Sequence, residues 1–262
     1  MSRRQAERAA ARLAELTGVD DHRALVVLGS GWGPAEEAFG EPVVRFPMTE
    51  VPGFVAPSAE GHRGTIASYV VDGVATMVLS GRTHLYEGLG LQPVVHGIRT
   101  AAAAGCTVAL LTNANGSLRN DLRIGQALLV RDHLNLTGTS PVEGAHFVDL
   151  TDCWSARLRR LARELDASLV EVTYAWVAGP HYETLAEAEW VRRIGGDVVG
   201  MSTVPEAIAG RECGLEVLGL STVTALEGQD SGIDPGEVVA VAERTAARMG
   251  PLLADLVRKG TA

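Results

Sequence analysis

The stretch Ala75-Thr76-Met77-Val78-Leu79-Ser80-Gly81-Arg82-Thr83-His84-Leu85-Tyr86-Glu87-Gly88 joins an apolar run to a polar cluster held between glycines. The apolar run predicts a buried strand, and polar groups that follow a strand reach a sheet edge, where α/β proteins build their sites. Arg82 and His84 alternate with Gly81 and Thr83, so both side chains point the same way in an extended segment. A guanidinium beside an imidazole favours an anion, and phosphate is the natural candidate.

Further apolar runs predict a sheet of many strands, at residues 24–28, 66–71, 75–79, 108–112, 127–130, 169–177, 198–199 and 217–223. Several runs are continuous rather than alternating, which is typical of strands buried on both faces. Helical patterns lie between them, at residues 2–16, 92–104, 155–165, 184–194, 203–213 and 236–258. This alternation predicts a layered α/β fold around a central mixed sheet. We expect Pro251 to kink or split the last helix.

The composition favours one cytoplasmic domain with small partners. The chain has 262 residues, 46% of them hydrophobic, and carries a net charge of −9. We expect a single domain over 1–262, with an N-terminal helix within 1–20. The acidic balance argues against a nucleic-acid partner or an anionic membrane surface. Three scattered cysteines fit neither a disulfide framework nor a zinc site, and no segment resembles a signal peptide or a membrane span.

Three short segments place donors at predicted strand ends. Gly29-Ser30-Gly31 follows the run 25–28, and glycines let a backbone approach an anion closely while Ser30 adds a donor. Gly61-His62 offers a second imidazole, and Thr112-Asn113-Ala114 offers backbone N–H groups. An ordinary turn or a surface histidine explains each segment equally well when it is taken alone.

Two later segments precede predicted helices. In Gly179-Pro180-His181-Tyr182-Glu183-Thr184, Thr184 can cap the helix with Glu187 three residues on. Capping requires neither Tyr182 nor Glu183, whereas a pocket for a heterocycle uses a ring for stacking and a carboxylate as acceptor. The second segment is Gly200-Met201-Ser202-Thr203-Val204-Pro205-Glu206. Either Met201 fills the core and Ser202 or Thr203 caps the helix, or the segment supplies further hydrogen-bond donors to a site.

Read in this order, the segments resemble the trimeric purine nucleoside phosphorylases, from about residue 25 to residue 224. The motifs that carry the resemblance are Gly29-Ser30-Gly31, Gly61-His62, Gly81-Arg82-x-His84-x-Tyr86-Glu87-Gly88, Thr112-Asn113-Ala114, Asp132-His133-x-Asn135, Gly179-Pro180-x-Tyr182-Glu183-Thr184 and Gly200-Met201-Ser202-Thr203-x-Pro205-Glu206. The resemblance implies a partly barrel-like mixed β-sheet flanked by helices. It also implies phosphorolysis of inosine- or guanosine-type nucleosides to a free purine and (deoxy)ribose 1-phosphate.

The resemblance also implies roles for individual residues. The phosphate-binding residues are Ser30, His62, Arg82, His84, Ser202 and, through its backbone N–H, Ala114. The sugar-binding residues are Tyr86 and Met201, with Phe147 reaching the sugar site of a neighbouring subunit in a homotrimer. The base-binding residues are Tyr182, which packs on the purine, and Glu183, which accepts from N1–H of a 6-oxopurine. His84, Glu183 and Arg82 are the expected catalytic residues.

The same resemblance implies that inorganic phosphate is a co-substrate and that the reaction needs no cofactor. Phosphate attacks C1′ as the glycosidic bond breaks, and the leaving purine gathers negative charge. Positioning and electrostatics can carry such a reaction, so we expect neither a covalent nucleophile nor a metal.

Two positions depart from the family pattern. The family carries an Asn that donates to N7 of the purine, whereas this strand reads Ser221-Thr222-Val223-Thr224-Ala225. Losing a donor of this kind costs about 2.7 to 4 kcal/mol in the transition state unless another group replaces it. The family also carries a His for the ribose 5′-hydroxyl, where this chain has Asp234-Pro235-Gly236, and no histidine follows His181. We therefore expect residues 225–236 to form a variable substrate loop.

These departures leave three readings open. The first is a purine nucleoside phosphorylase, a pentosyltransferase. The second is a phosphorylase for 5′-modified or 6-aminopurine nucleosides, since the related methylthioadenosine phosphorylases lack that His and carry an acidic residue at the position of Glu227. The third is a weakly active homologue that binds purine and phosphate, which the loss at Ala225 favours.

Overall fold

The computed structural model describes residues 3–59, 61–227 and 234–262. Within these ranges, nine strands form one sheet: β1 (Ala24–Leu28), β2 (Val44–Pro47), β3 (Thr65–Val71), β4 (Val74–Ser80), β5 (Val108–Ser117), β6 (Ala127–Asn135), β7 (Val170–Trp176), β8 (Val198–Gly200) and β9 (Glu216–Leu226). The α-helices are α1 (Arg3–Thr17), α2 (Leu91–Ala103), α3 (Ala156–Leu165), α4 (Leu185–Arg193), α5 (Val204–Glu212) and α6 (Pro235–Gly260). Short 3₁₀ helices span Gly33–Phe39, Met48–Glu50 and Leu85–Glu87. None of the described helices is long and apolar enough to cross a membrane.

The sheet is partly a closed ring and partly an open wing. Its strand order is β2-β3-β4-β1-β5-β8-β7-β6-β9, and β9 pairs back onto β5. Strands β5, β8, β7, β6 and β9 therefore close a ring, while β1, β4, β3 and β2 extend from β5 as the wing. Parallel pairs such as β1–β4 and β5–β9 occur beside antiparallel pairs such as β3–β4 and β6–β9. This arrangement confirms the expected single-domain α/β fold with a mixed, partly barrel-like sheet.

The apolar runs bury residues on both faces of the sheet. In β1, Leu25 and Val27 belong to one core cluster, whereas Val26 and Leu28 belong to another on the opposite face. Helices α1, α2 and α5 contribute side chains to the first cluster, and α3 and α6 contribute to the second. Because successive strand residues point to opposite faces, a continuous apolar run is what a strand between two helical layers requires.

The second half of β5 was not predicted as strand. The pattern ends at residue 112 and suggests a turn over Thr112-Asn113-Ala114-Asn115-Gly116-Ser117, yet β5 runs on to Ser117. Strand β9 stays paired along this whole segment, and β8 joins at Gly116, with a bulge between Asn115 and Gly116. The pairing supplies backbone hydrogen bonds that override the turn preference of these residues.

Three other regions differ from what the sequence predicted. Helix α6 continues through Pro251, so the proline does not split it; Pro251 lies on the exposed side, while Met249 and Leu253 pack into the core. Strand β2 was missed because it is a short edge strand that pairs only with β3, so little of it is buried. Of the predicted substrate loop 225–236, Ala225 and Leu226 belong to β9, and Pro235 and Gly236 belong to α6. Residues 228–233 lie outside the described residues.

The close approach of α6 to the turn after β1 gives a test of this packing. Gly31 has φ +72°, and a Cβ added there lies 2.4 Å from the Cβ of Ala242 in α6. We expect Gly31→Ala to lower the free energy of unfolding by about 1 to 3 kcal/mol more than Gly40→Ala, because it adds overpacking to backbone strain. Gly40 is the matched control, with φ +80° and open space around its Cβ position. Denaturant unfolding followed by tryptophan fluorescence measures the difference, and equal losses contradict this packing.

Candidate functional site

A cavity of about 680 Å³, including the space at its mouth, lies at the carboxyl ends of several strands. The predicted site residues on its wall are Ser30, Arg82, His84, Tyr86, Ala114, Tyr182, Glu183, Met201, Ser202, Ala225 and Glu227. They come together because β1, β4 and β5 run parallel, with Leu28 of β1 opposite Ser80 of β4. The segments after β7 and β8 and the end of β9 complete the wall.

Arg82 provides the fixed positive charge of the site. Its side chain is 3% exposed, its Nε donates to Glu206 at 3.0 Å, and its Nη1 donates to the carbonyl of Thr112 at 2.6 Å. The Nη2 group is buried and has no hydrogen-bond partner among the described residues. Arg82 lines the cavity, and a buried guanidinium with an unpaired N–H group is a suitable donor for an anion that binds beside it.

His62 lies behind Ser30 rather than on the cavity wall. The backbone N–H of Arg82 donates to Nδ1 of His62 at 3.0 Å, so Nδ1 carries no proton. Burial and the positive charges of His84 and Arg82 lower the pKa of His62 to about 3, so the ring is neutral and its proton is on Nε2. Nε2 lies 3.0 Å from Ser30 Oγ and therefore donates to it. This bond leaves the Ser30 hydroxyl proton available to a ligand, so the described contacts of His62 orient Ser30 rather than line the cavity.

His84 is also neutral at neutral pH. Burial and Arg82 lower its pKa to about 4, although Glu87 opposes the shift. Glu87 Oε1 accepts the backbone N–H of His84 at 2.6 Å and lies 3.4 Å from its Nδ1, as expected for a carboxylate that holds this ring. The ring stacks on Tyr86, with 4.7 Å between centroids. Imidazole orientation is therefore fixed from two sides before any ligand arrives.

Ser202 reaches the cavity from a strained turn. It is 9% exposed, and its Oγ lies 2.9 Å from Oγ1 of Thr203. Thr203 has φ +73°, which a β-branched residue rarely adopts. Its hydroxyl accepts from Nδ2 of Asn113 at 3.1 Å, and Glu206 accepts its backbone N–H at 3.1 Å. The turn is thus held by β5 and by the first turn of α5.

Tyr182 and Glu183 face the other end of the cavity. Thr184 and Glu187 form the predicted capping box of α4, with hydrogen bonds of 3.2 and 2.8 Å. The cap uses neither Tyr182 nor Glu183, and both line the cavity. Burial raises the pKa of Glu183. A ring and a carboxyl group are thereby placed together where a planar heterocycle can bind both.

Glu227 shares this end of the cavity with Glu183. Ala225 pairs with Gly116 across β5 and β9, and Glu227 fills the space above that glycine, where an added Cβ falls 2.0 Å from Oε1. Burial, and then the charge of Glu183, raise the pKa of Glu227 to about 7. Two nearby carboxyl groups resist double ionisation, so one of them tends to hold a proton.

Tyr86 and Met201 also line the cavity, and their sugar-binding role stays a prediction. Phe147 does not line the cavity and is 96% exposed. Its expected contact with a neighbouring subunit stays a prediction.

Several residues of the site were missed in the sequence. Asn115, Thr224 and Val238 line the cavity, and Glu206 lies behind Arg82. Asn115 follows the quoted Thr112-Asn113-Ala114 motif directly, but it lies in the stretch that was predicted as a turn, so its side chain was given no role. Glu206 was read as part of a helix cap, and nothing in its spacing points to Arg82.

The comparisons with known proteins agree on one family. A family model described as the phosphorylase superfamily matches residues 23–258. The purine nucleoside phosphorylase of Mycobacterium tuberculosis is 50% identical over 256 residues, covering 97% of this chain and 96% of its own. That of Cellulomonas sp is 48% identical over 264 residues, covering 97% of this chain and 93% of its own.

Solved structures give the same result. The Schistosoma mansoni purine nucleoside phosphorylase in complex with adenosine has a TM-score of 0.88 at 28% identity, covering 98% of this chain and 97% of its own. A complex of the enzyme from that organism with inosine has a TM-score of 0.88 at 29% identity, covering 98% and 96%. Sequence and structure together show that the chain belongs to the phosphorylase superfamily, among its purine nucleoside phosphorylases.

Proposed function

We propose that the protein catalyses phosphorolysis of purine nucleosides to a free purine and (deoxy)ribose 1-phosphate. The observation that carries the proposal is that Arg82, a buried arginine whose Nη2 has no hydrogen-bond partner among the described residues, lines the same cavity as Tyr182 and Glu183. One end of the cavity supplies donors for a phosphate, and the other supplies a ring and an acceptor for a 6-oxopurine. The relatives at about half identity carry the name of this activity.

The geometry suits a displacement at C1′. A phosphate oxygen forms a new bond to C1′ while the bond between C1′ and N9 breaks. The electron pair of the broken bond leaves with the purine. Arg82, Ser30 and Ser202 orient the phosphate, and Glu183 holds the N1–H edge of the base. Such fixed donors lower the barrier by positioning and by stabilising charge, so the protein needs no cofactor beyond phosphate as co-substrate.

We also propose a cytoplasmic homotrimer that acts on small molecules, without nucleic-acid or membrane partners. Phe147 supports the trimer, because an aromatic side chain that is 96% exposed gains by entering a neighbour's sugar site. The net charge of −9 supports a small partner over a polyanion.

The anion subsite is tested at Arg82. We expect Arg82→Ala to raise the KM for phosphate by roughly ten- to a hundredfold, since each lost charge-assisted bond is worth about 1.5 to 3 kcal/mol. Arg82→Lys is a second variant in case Arg82→Ala fails to fold. It keeps a positive charge opposite Glu206 but loses the geometry of the guanidinium group. Arg193→Ala, on an exposed arginine, is the control. Initial rates at varied phosphate decide the matter, and an unchanged phosphate KM in both Arg82 variants contradicts the subsite.

The base subsite is tested at Ala225. We expect Ala225→Asn to raise inosine and guanosine phosphorolysis by up to about a hundredfold, because it restores a donor to the leaving purine. Ala225→Leu is the matched control, since leucine resembles asparagine in size but donates nothing. Turnover numbers for the three proteins measure the effect, and an equal gain in both variants contradicts a missing donor.

A second candidate function follows from Glu227. A carboxylate at this position accepts from the amino group of a 6-aminopurine, and no histidine is present for a 5′-hydroxyl. This candidate predicts phosphorolysis of adenosine or 5′-methylthio analogues, little gain in Ala225→Asn and loss of activity in Glu227→Ala. Binding of purine without turnover of any nucleoside leaves the weakly active binding homologue.

The pKa of about 7 at Glu227 makes the two candidates differ in pH dependence. Below pH 7 the protonated carboxyl group donates to a 6-oxopurine, and above pH 7 it can only accept. If inosine binds only when the Glu227 carboxyl group is protonated and donates to it, the KM for inosine rises about tenfold per pH unit above 7. Glu227→Gln keeps a donor at every pH and flattens the profile. A 6-aminopurine substrate shows the opposite slope, since its amino group is bound better by the carboxylate.

A further inference from the structure

Glu206 contacts both segments that form the proposed anion subsite, Arg82 and the Ser202–Thr203 turn. It lies in the first turn of α5 and is 2% exposed. Its carboxylate accepts from Nε of Arg82 at 3.0 Å and from the backbone N–H of Thr203 at 3.1 Å. Arg82 follows β4, whereas Thr203 follows β8, so one carboxylate connects donors that are 121 residues apart in the chain.

The contact to Arg82 decides which of its nitrogens stays free. Glu206 takes Nε and the carbonyl of Thr112 takes Nη1, so the guanidinium plane is fixed at two of its three nitrogens. Nη2 is the nitrogen left without a partner among the described residues. Without Glu206, only the hydrogen bond from Nη1 to Thr112 holds the guanidinium, so the orientation of Nη2 is less well fixed.

The contact to Thr203 holds a strained backbone. Thr203 has φ +73° and is fully buried, and such a conformation persists only where the surroundings impose it. Glu206 accepts its N–H, and Asn113 donates to its hydroxyl. Ser202, the donor on the cavity wall, is the preceding residue. Relaxation of Thr203 therefore displaces Ser202.

Helix capping does not explain Glu206. In α4, Glu187 makes the same reciprocal cap with Thr184, but it is exposed and pairs with no arginine among the described residues. Glu206 is instead buried against Arg82, and both side chains are 3% exposed. A buried ion pair contributes little net stability relative to apolar packing, so stability alone is a weak reason for it.

We propose that Glu206 is a positioning residue, which sets Arg82 and the Ser202–Thr203 turn together for binding a phosphate oxyanion. The inference rests on the proposed function, because it assumes that phosphate binds at Arg82. It deepens that function, because one buried carboxylate that does not itself line the cavity sets the relative positions of Arg82 and the Ser202–Thr203 turn.

The test compares Glu206→Gln with Glu212→Gln. Both carboxylate oxygens of Glu206 lie 3.0 Å from Nε of Arg82, so the NH₂ group of a glutamine faces that donor in either orientation, and the negative charge is lost. We expect Glu206→Gln to raise the KM for phosphate by roughly ten- to a hundredfold, because the charge-assisted contact that orients Arg82 is lost, with little change in the KM for nucleoside. Glu212 is the control, since it lies in the same helix and pairs with Arg99 at 2.8 Å, away from the cavity.

A second variant covers a failure to fold. Glu206→Asp keeps the charge opposite Arg82 but is one methylene too short for both contacts, so we expect a folded protein with a raised phosphate KM. An unchanged phosphate KM in a folded Glu206 variant overturns the inference, and so does a parallel rise of both KM values. Calorimetric titration with inorganic phosphate reads the same effect without turnover. Wild-type protein that neither binds phosphate nor turns over a nucleoside contradicts the proposed function instead.

Discussion

The pairing of β5 on both edges is the constraint on which the structure depends. One edge of this ten-residue strand pairs with β1 and then with β8, and the other pairs with β9 along its whole length. Its first half is apolar and divides its side chains between the two cores. Its second half, from Asn113 to Gly116, lines the cavity. The same backbone hydrogen bonds that close the ring therefore hold one wall of the site rigid, which suits a reaction driven by positioning.

An acidic protein with a net charge of −9 builds its anion subsite from few charges. Both histidines near the subsite have pKa values lowered well below neutrality, to about 3 for His62 and about 4 for His84. Arg82 is then the fixed cation, and the remaining donors are neutral hydroxyl and backbone groups whose directions are set by neighbours. Oriented hydrogen-bond donors thus take the place of additional positive charges, because fixed dipoles at low local dielectric act strongly on an anion.

The part of the cavity proposed to bind the base is lined by carboxyl groups instead of positively charged groups. Glu183 and Glu227 face the same space where Ala225 provides no polar group, and burial raises both pKa values. A shared proton there supplies a donor that a methyl group cannot. The departure at Ala225 and the presence of Glu227 are consequently best understood together, as two changes in one subsite, with consequences for which purine is bound.

The sequence by itself located eight of the nine described strands and determined the family and most of the cavity wall. Continuous apolar runs such as 24–28 mark buried strands, and glycine-bounded motifs mark strand ends, because both depend on local chemistry. Only the tertiary structure decided the extension of β5 to Ser117, the protonated nitrogen of His62 and the contact of Glu206 with Arg82. Each depends on a partner that is distant in sequence: β9, the backbone of Arg82, and a loop after another strand. Spacing carries no record of such partners, since they become neighbours only when the sheet closes.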